Sequence, residues 1–248
     1  VNPNFDKFER DHIIENLEFV TMSKYGEDLP VDIAFDPGRE DLDTPLAKIL
    51  SENGLSQLHI SESEKFPHIT YFFNGENRHP YTNETWIEIP SPRDVSTYDQ
   101  KPEMSAIEVT KTIVEKINSE SFDFILINYA NTDMVGHTGV LAAGIKAVET
   151  VDSCLAVVLD AVLKKDGIMI ITADHGNVEE MINHTTGEID TQHSIYPVPI
   201  LFVSNKSEND PEYGKDLRFG RLADIAPTIL TLMNIEIPSS MTGRNLLD

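Results

Sequence analysis

Cysteine is nearly missing from this chain. The single one, Cys154, excludes an intrachain disulfide framework and suits a reducing compartment. It lies in the apolar run 154–159, so it reads as a small core residue rather than a nucleophile. Positive charge is also scarce: 19 Lys and Arg stand against 42 Asp and Glu, a formal net charge of −23. Such a surface repels phosphate backbones and anionic headgroups, so neither nucleic acid nor membrane is expected as a partner. An anionic ligand would be held only where metal ions or a few basic groups reverse the local field. Long apolar runs are absent too, since none approaches the ~20 residues that cross a bilayer. The polar, acid-rich opening does not read as a signal peptide, and a cytoplasmic protein is expected. The chain opens on Val1 rather than methionine, as expected after initiator removal or for an internal piece of something longer.

What is present is globular material without repeats or low-complexity tracts. A length of 248 residues with 40% hydrophobic content allows one large or two smaller domains. Residues 17–22 read as a short strand and Asp36-Pro37-Gly38-Arg39 as a turn or hinge. A helix is predicted from Thr44, as cap, and Pro45, at the first helical position, to Asn53-Gly54. Strand-like runs follow at 57–60 and 69–73. The stretch 75–101 reads as a long functional excursion with a strand only at 86–89. Ser105-Ala106-Ile107-Glu108 is a capping box opening a helix to about residue 118. Beyond it the chain alternates: strand 124–128, amphipathic helix 140–164, strands 167–172 and 199–203, and a closing helix 223–233. Near-continuous apolar strands separated by helices predict an α/β fold, a largely parallel sheet with helices on both faces.

In such sheets ligands gather at the carboxyl ends of strands. Asp133-x-x-Gly136-His137 directly follows the strand 124–128, Asp174-His175-Gly176-Asn177 follows 167–172, and His193 shortly precedes the strand at 199. Asp and His are the natural ligand pair for Zn²⁺ or Mn²⁺. A helical turn would put Asp133 and His137 on one face. Asp174 and His175 are neighbours, and converge only because the strand has ended and Gly176 frees the backbone. Singly, such a pair is more often a hydrogen-bonded loop than a metal site. Five candidates at three strand ends point to a two-metal centre, which suits phosphoryl transfer by stabilising attacking and leaving oxygens. Two ions need more ligands than these, and covalent transfer needs a nucleophile. Ser194, beside His193, is the nearest hydroxyl but occupies no recognisable activated turn. His12, His59, His79 and His184 lack any such context and read as surface or structural.

The motifs resemble the alkaline phosphatase superfamily: Asp133-x-x-Gly136-His137, Thr172-Ala173-Asp174-His175-Gly176, the later His193, and the closing segment 222–228 (LADIAPT). Within it, segments 63–75 (SEKFPHITYFFNG), 91–93 (SPR), 97–106 (TYDQKPEMSA) and 131–139 (NTDMVGHTG) are similar to the cofactor-independent phosphoglycerate mutases. That resemblance implies an alkaline phosphatase-like fold and glycolytic interconversion of 3- and 2-phosphoglycerate through a phosphoserine. It implies two Mn²⁺ ions, with Mg²⁺, Co²⁺ or Zn²⁺ as substitutes. Asp133, His137 and His193 would hold one ion, and Asp174 and His175 the other. Lys65 would neutralise charge near the transferring phosphate; without the resemblance it reads as a surface lysine. The intact enzyme is expected to be monomeric.

The resemblance also has a gap. Family members are about twice this length, and the amino-terminal strand that carries an aspartate and the nucleophilic serine has no counterpart here. Residues 1–36 are expected to be the tail of the substrate-binding domain with its hinge, and 37–248 the carboxyl-terminal part of the phosphatase-like domain. The chain is then a fragment, inactive alone, whose partner is the missing amino-terminal half. The alternatives are a metal-dependent phosphohydrolase of the same superfamily and a metal-binding remnant without turnover.

Overall fold

The computed structural model describes residues 16–22, 31–34, 44–183, 185–206 and 219–247. They fall into two units, 1–43 and 44–248. In the first, β1 (Val20–Thr21) pairs in parallel with β2 (Asp32–Ile33), so the strand expected at 17–22 is confined to two residues. The turn expected at 36–39 lies outside the described residues, as do His12 and His184.

In the second unit, β3 (Gln57–Glu62) is flanked in parallel by β4 (Glu84–Ile89) and β5 (Phe124–Asn128). Strand alternation sorts the two faces of β3. Leu58 and Ile60 form one core with Val109, Ile113 and Ile117 of α2 (Ala106–Ser119) and Val158 and Ala161 of α4 (Leu141–Lys164). Cys154 is buried on α4, on the same helix stripe as Val158 and Ala161. On the opposite face, Gln57 Nε2 donates to the carbonyl of Ala47 at 2.8 Å, which lies on α1 (Leu46–Glu52). Phe124 of β5 packs there with Leu46, Ile49 and Leu50 of α1 and Leu230 of α5 (Ile225–Leu232). Helices thus cover both faces of a parallel sheet, and the α/β architecture follows. Among the described residues no helix is long and apolar enough to cross a membrane.

Four local expectations are corrected. Residues 69–73 are not a strand, because His68–Phe72 form a π-helical turn. Pro67 enters it in the helical region, and Thr70 donates its hydroxyl to the Phe66 carbonyl at 2.7 Å. The aromatic and β-branched composition suggested a strand, but burial of Ile69 and Thr70 against the sheet decides the conformation. Ser105 starts α2 without capping it; its hydroxyl donates instead to the Pro90 carbonyl at 2.8 Å, tying the helix to the end of β4. Pro45 precedes α1 rather than opening it, and the Thr44 hydroxyl bonds that of Ser240 at 2.7 Å.

The fourth correction concerns the sheet itself. β6 (Met169–Thr172) and β7 (Ile200–Val203) pair antiparallel, apart from the three parallel strands. A parallel return needs a crossover, usually a helix, and among the described residues the connection 173–199 contains none. Thr172 pairs with Ile200, so the exit of β6 and the entrance of β7 share one edge. Met169 of β6 and Ile125 and Ile127 of β5 pack against the same core that α4 covers. Among the described residues, however, no ladder joins β5 to β6.

His59 is structural: it is wholly buried, with Nδ1 at 2.7 Å from the Ile69 carbonyl and 3.0 Å from Glu84 Oε1. His79 lies at the surface. Glu84 also accepts from Asn74 Nδ2 at 2.9 Å, the Tyr81 N–H at 2.7 Å and the Trp86 indole. Burial pushes the His59 imidazole down, more than Glu84 and the Ile69 carbonyl pull it up. A ring that takes up its proton less readily folded than unfolded, where it titrates at about pH 6.5, favours the unfolded state as pH falls through that value. Urea unfolding at about pH 7.5 and about pH 5.5 should therefore show lower stability at the acid end. His59→Asn should shrink that difference even though it lowers stability at both values; an unchanged difference would contradict the assignment.

Candidate metal centre

β3 ends at Glu62, and a turn closed by the Lys65 N–H on the Glu62 carbonyl (3.0 Å) presents Lys65 at the strand's carboxyl end. The first turn of α3 (Asn131–Gly136), after β5, presents Asp133, and His137 follows one turn later. Lys65 is 6% exposed, and its Nζ lies 2.5 Å from Asp133 Oδ2. The other carboxylate oxygen, Oδ1, lies 3.1 Å from both His137 Nε2 and His193 Nε2, which are 3.2 Å apart. His137 anchors its far side by donating Nδ1–H to the Thr191 carbonyl at 2.7 Å. In the neutral ring that leaves Nε2 with a bare lone pair directed at the cluster. With His193 in the same tautomer, three electron-rich atoms this close repel unless they share a cation. A two-nitrogen, one-oxygen set suits divalent ions that take bonds of about 2.0–2.2 Å.

The remaining candidates lie beside this triad rather than in it. The His175 ring stacks on His193 with centroids 3.7 Å apart. Asp174 Oδ2 is 3.6 Å from His175 Nε2, and its side chain is more than half exposed. The antiparallel reversal after β6 explains why His193 meets them: a β7 parallel to β6 would have its entrance at the opposite edge.

Asp133 titrates in a divided environment. Burial pushes its carboxyl up, but hydrogen bonds from Lys65 and Asn177 and the charge of Lys65 outweigh that and hold it below the usual carboxylate range. Three further residues, unmarked in sequence, belong to the surroundings. His68, in the π-helical turn, senses Lys65, Asp174, Asp133 and His175; burial, then the Lys65 charge, pushes its imidazole down. Its place within the 63–75 motif was the available signal in sequence; the π-helical turn, a conformation that often marks functional sites, emerges only in the structure. Asn177 donates Nδ2–H to Asp133 Oδ1 at 2.8 Å. Glu179 accepts the Asn177 N–H at 2.8 Å and the Ser194 hydroxyl.

The sequence matches the metalloenzyme superfamily over residues 11–237. The chain belongs to that superfamily. Among curated proteins it is similar to the 2,3-bisphosphoglycerate-independent phosphoglycerate mutase of Rhodopirellula baltica, 50% identical over 243 residues, covering 97% of this chain and 44% of that protein. The corresponding Clostridium acetobutylicum mutase is 49% identical over 245 residues, 98% of this chain and 46% of that protein. The chain thus spans about half the length of the curated relatives it matches. A solved phosphoglycerate mutase from Leishmania mexicana, at low cobalt concentration, superposes with a TM-score of 0.79 at 30% identity. It covers 98% of this chain and 46% of that one. A putative sulfatase from Bacteroides thetaiotaomicron, at 15% identity and a TM-score of 0.55 over 82% of this chain and 55% of that one, shares the fold.

Crowding around α3 makes Gly136 critical. A β-carbon there would overlap the amide of Asn177, and glycine at this helical position is needed for space rather than for backbone freedom. Gly136→Ala should destabilise the metal-free chain by about 1–3 kcal/mol, the usual cost of overpacking. A melting temperature equal to that of the native chain would show that the segment shifts freely.

Proposed function

We propose that this member of the metalloenzyme superfamily is the carboxyl-terminal part of a cofactor-independent phosphoglycerate mutase. It would supply Lys65 and most metal ligands for interconverting 3- and 2-phosphoglycerate. The observation that carries the reading is the Asp133 carboxylate divided between Lys65 and two imidazoles. It lies in a chain 50% identical to such a mutase over 97% of its length. Asp133, His137 and His193 would hold one Mn²⁺, and Asp174 and His175 would contribute to a second. Bound divalent ions supply Lewis-acid stabilisation of phosphoryl oxygens, and with Lys65 they supply the positive charge that this acidic chain otherwise lacks. Lys65 neutralises Asp133 Oδ2 and keeps further N–H donors for a phosphoryl oxygen. His137, pinned on Thr191, keeps its free nitrogen directed at the cluster.

In this reading residues 1–36 are the tail of the substrate-binding domain and hinge, and 37–248 belong to the phosphatase-like domain. The phosphate-accepting serine would come from a segment outside this chain, as the family resemblance implies. The β5 and β6 strands, close to α4 but unjoined, support a sheet completed by another strand. The excess of acidic residues supports a small-molecule substrate, without nucleic acid or membrane. The single cysteine suits a cytoplasmic enzyme, which as in the resembling family would be monomeric. A phosphohydrolase of the same fold would share the triad, but the 63–75 and 97–106 segments favour the mutase.

In a coupled assay with Mn²⁺, the isolated chain should convert no 3-phosphoglycerate. Mixing with the amino-terminal half of a related mutase should restore conversion. Robust turnover by the chain alone would overturn the fragment reading, and failure of the associated halves to turn over would favour a metal-binding remnant. Calorimetric titration of the chain alone should show Mn²⁺ uptake that His137→Ala abolishes.

A further inference from the structure

Asp133 has a fourth partner whose placement is unusual. Asn177 is 4% exposed, and its amide nitrogen donates both to Asp133 Oδ1, at 2.8 Å, and to the Asp133 carbonyl, at 3.2 Å. Both acceptors are oxygens, so the NH₂ end of the amide must face Asp133. The other end, Oδ1, is buried without a hydrogen-bond partner and abuts Gly136, where a β-carbon would overlap it. Burying an amide oxygen unpaired is unfavourable, and such a group calls for an explanation beyond packing. The backbone of Asn177 is tethered in turn, its N–H donating to Glu179 Oε2 at 2.8 Å. Glu179 Oε1 accepts the Ser194 hydroxyl, and the Ser194 N–H donates to the Gly176 carbonyl at 2.9 Å. One chain of bonds therefore links the three segments that carry Asp133 and His137, Asp174 and His175, and His193.

We propose that Asn177 is a positioning residue of the metal centre. By holding Asp133 Oδ1 while Lys65 holds Oδ2, it makes Asp133 a single-oxygen ligand aimed at His137 and His193. A carboxylate bonded at only one oxygen can swing about its last torsion and present both oxygens or neither. Bonded at both, it cannot. Glu179 and Ser194 extend the constraint, because the loop that carries Asn177 is laced to the residue next to His193. The assignment rests on the metal reading above.

The test uses the full chain with Mn²⁺ affinity by titration, the visible absorption of bound Co²⁺, and metal-free melting. Loss of a group that orients a ligand typically weakens binding by about 10–100-fold, and that loss is expected for Asn177→Ala, with a shifted Co²⁺ band. Asn177→Asp keeps the volume but loses both N–H donors, so it should bind no better than Asn177→Ala. Ser194→Ala, which frees one oxygen of Glu179, should weaken binding in the same direction but less. Native affinity and an unchanged Co²⁺ spectrum in both Asn177 variants would overturn the assignment while leaving the metal reading intact. Restoration by Asn177→Asp would reduce Asn177 to packing. A native chain that takes up no Mn²⁺ would overturn the metal reading and this assignment together.

Discussion

The Asp133 carboxylate is where three chain segments meet, and its two oxygens do different jobs. One neutralises a buried lysine at 2.5 Å, and the other faces two imidazole nitrogens at 3.1 Å. The side chains of Lys65 and Asp133 are only 8% and 13% exposed, so each charge depends on the other. Removing one partner of such a pair costs about 3–5 kcal/mol, whereas replacing the whole pair by apolar groups can be neutral. The pair is therefore better understood as a specifier of geometry than as a source of stability. It places a positive charge and a carboxylate oxygen that faces two imidazoles side by side in a chain whose net charge is −23.

The surrounding fold exists to deliver residues to that point. β3 and β5 run in parallel and bring Lys65 and Asp133 to the same edge. α4 carries the chain from that edge to β6, and the antiparallel return to β7 brings His193 back. A tether at each arrival holds the geometry: Thr191 on His137, Asn177 on Asp133, and Glu179 on Ser194. The same arrangement leaves β5 and β6 without a ladder between them. Unpaired strand edges are sites to which another strand can add.

Much of this was legible beforehand, for identifiable reasons. The strand 124–128 and the helix beginning near 140 were correctly placed, because an unbroken apolar run and a long 3.6-residue periodicity leave few alternatives. Asp133 and His137 were marked by residue type and by position after an apolar strand, His193 by residue type shortly before another, and their grouping by the family resemblance. The misreadings share a cause. Residues 69–73 have the composition of a strand, but Pro67 and packing against β3 make them a π-helical turn. Ser105 has the spacing of a capping box, yet a carbonyl from β4 takes its hydroxyl. His68, Asn177 and Glu179 carry no spacing signal, since their partners lie on other segments.

The sequence by itself determined the α/β class, the Asp and His candidates for a metal centre, and the superfamily to which the chain belongs. Apolar period and side-chain type are local properties, readable without a partner. Tertiary structure alone decided the direction of β7, the pairing of Lys65 with Asp133, and the bonds that hold Asp133 to one orientation. Each is a contact between residues far apart in the chain, and its geometry is set by which surfaces are buried together rather than by any neighbour in sequence.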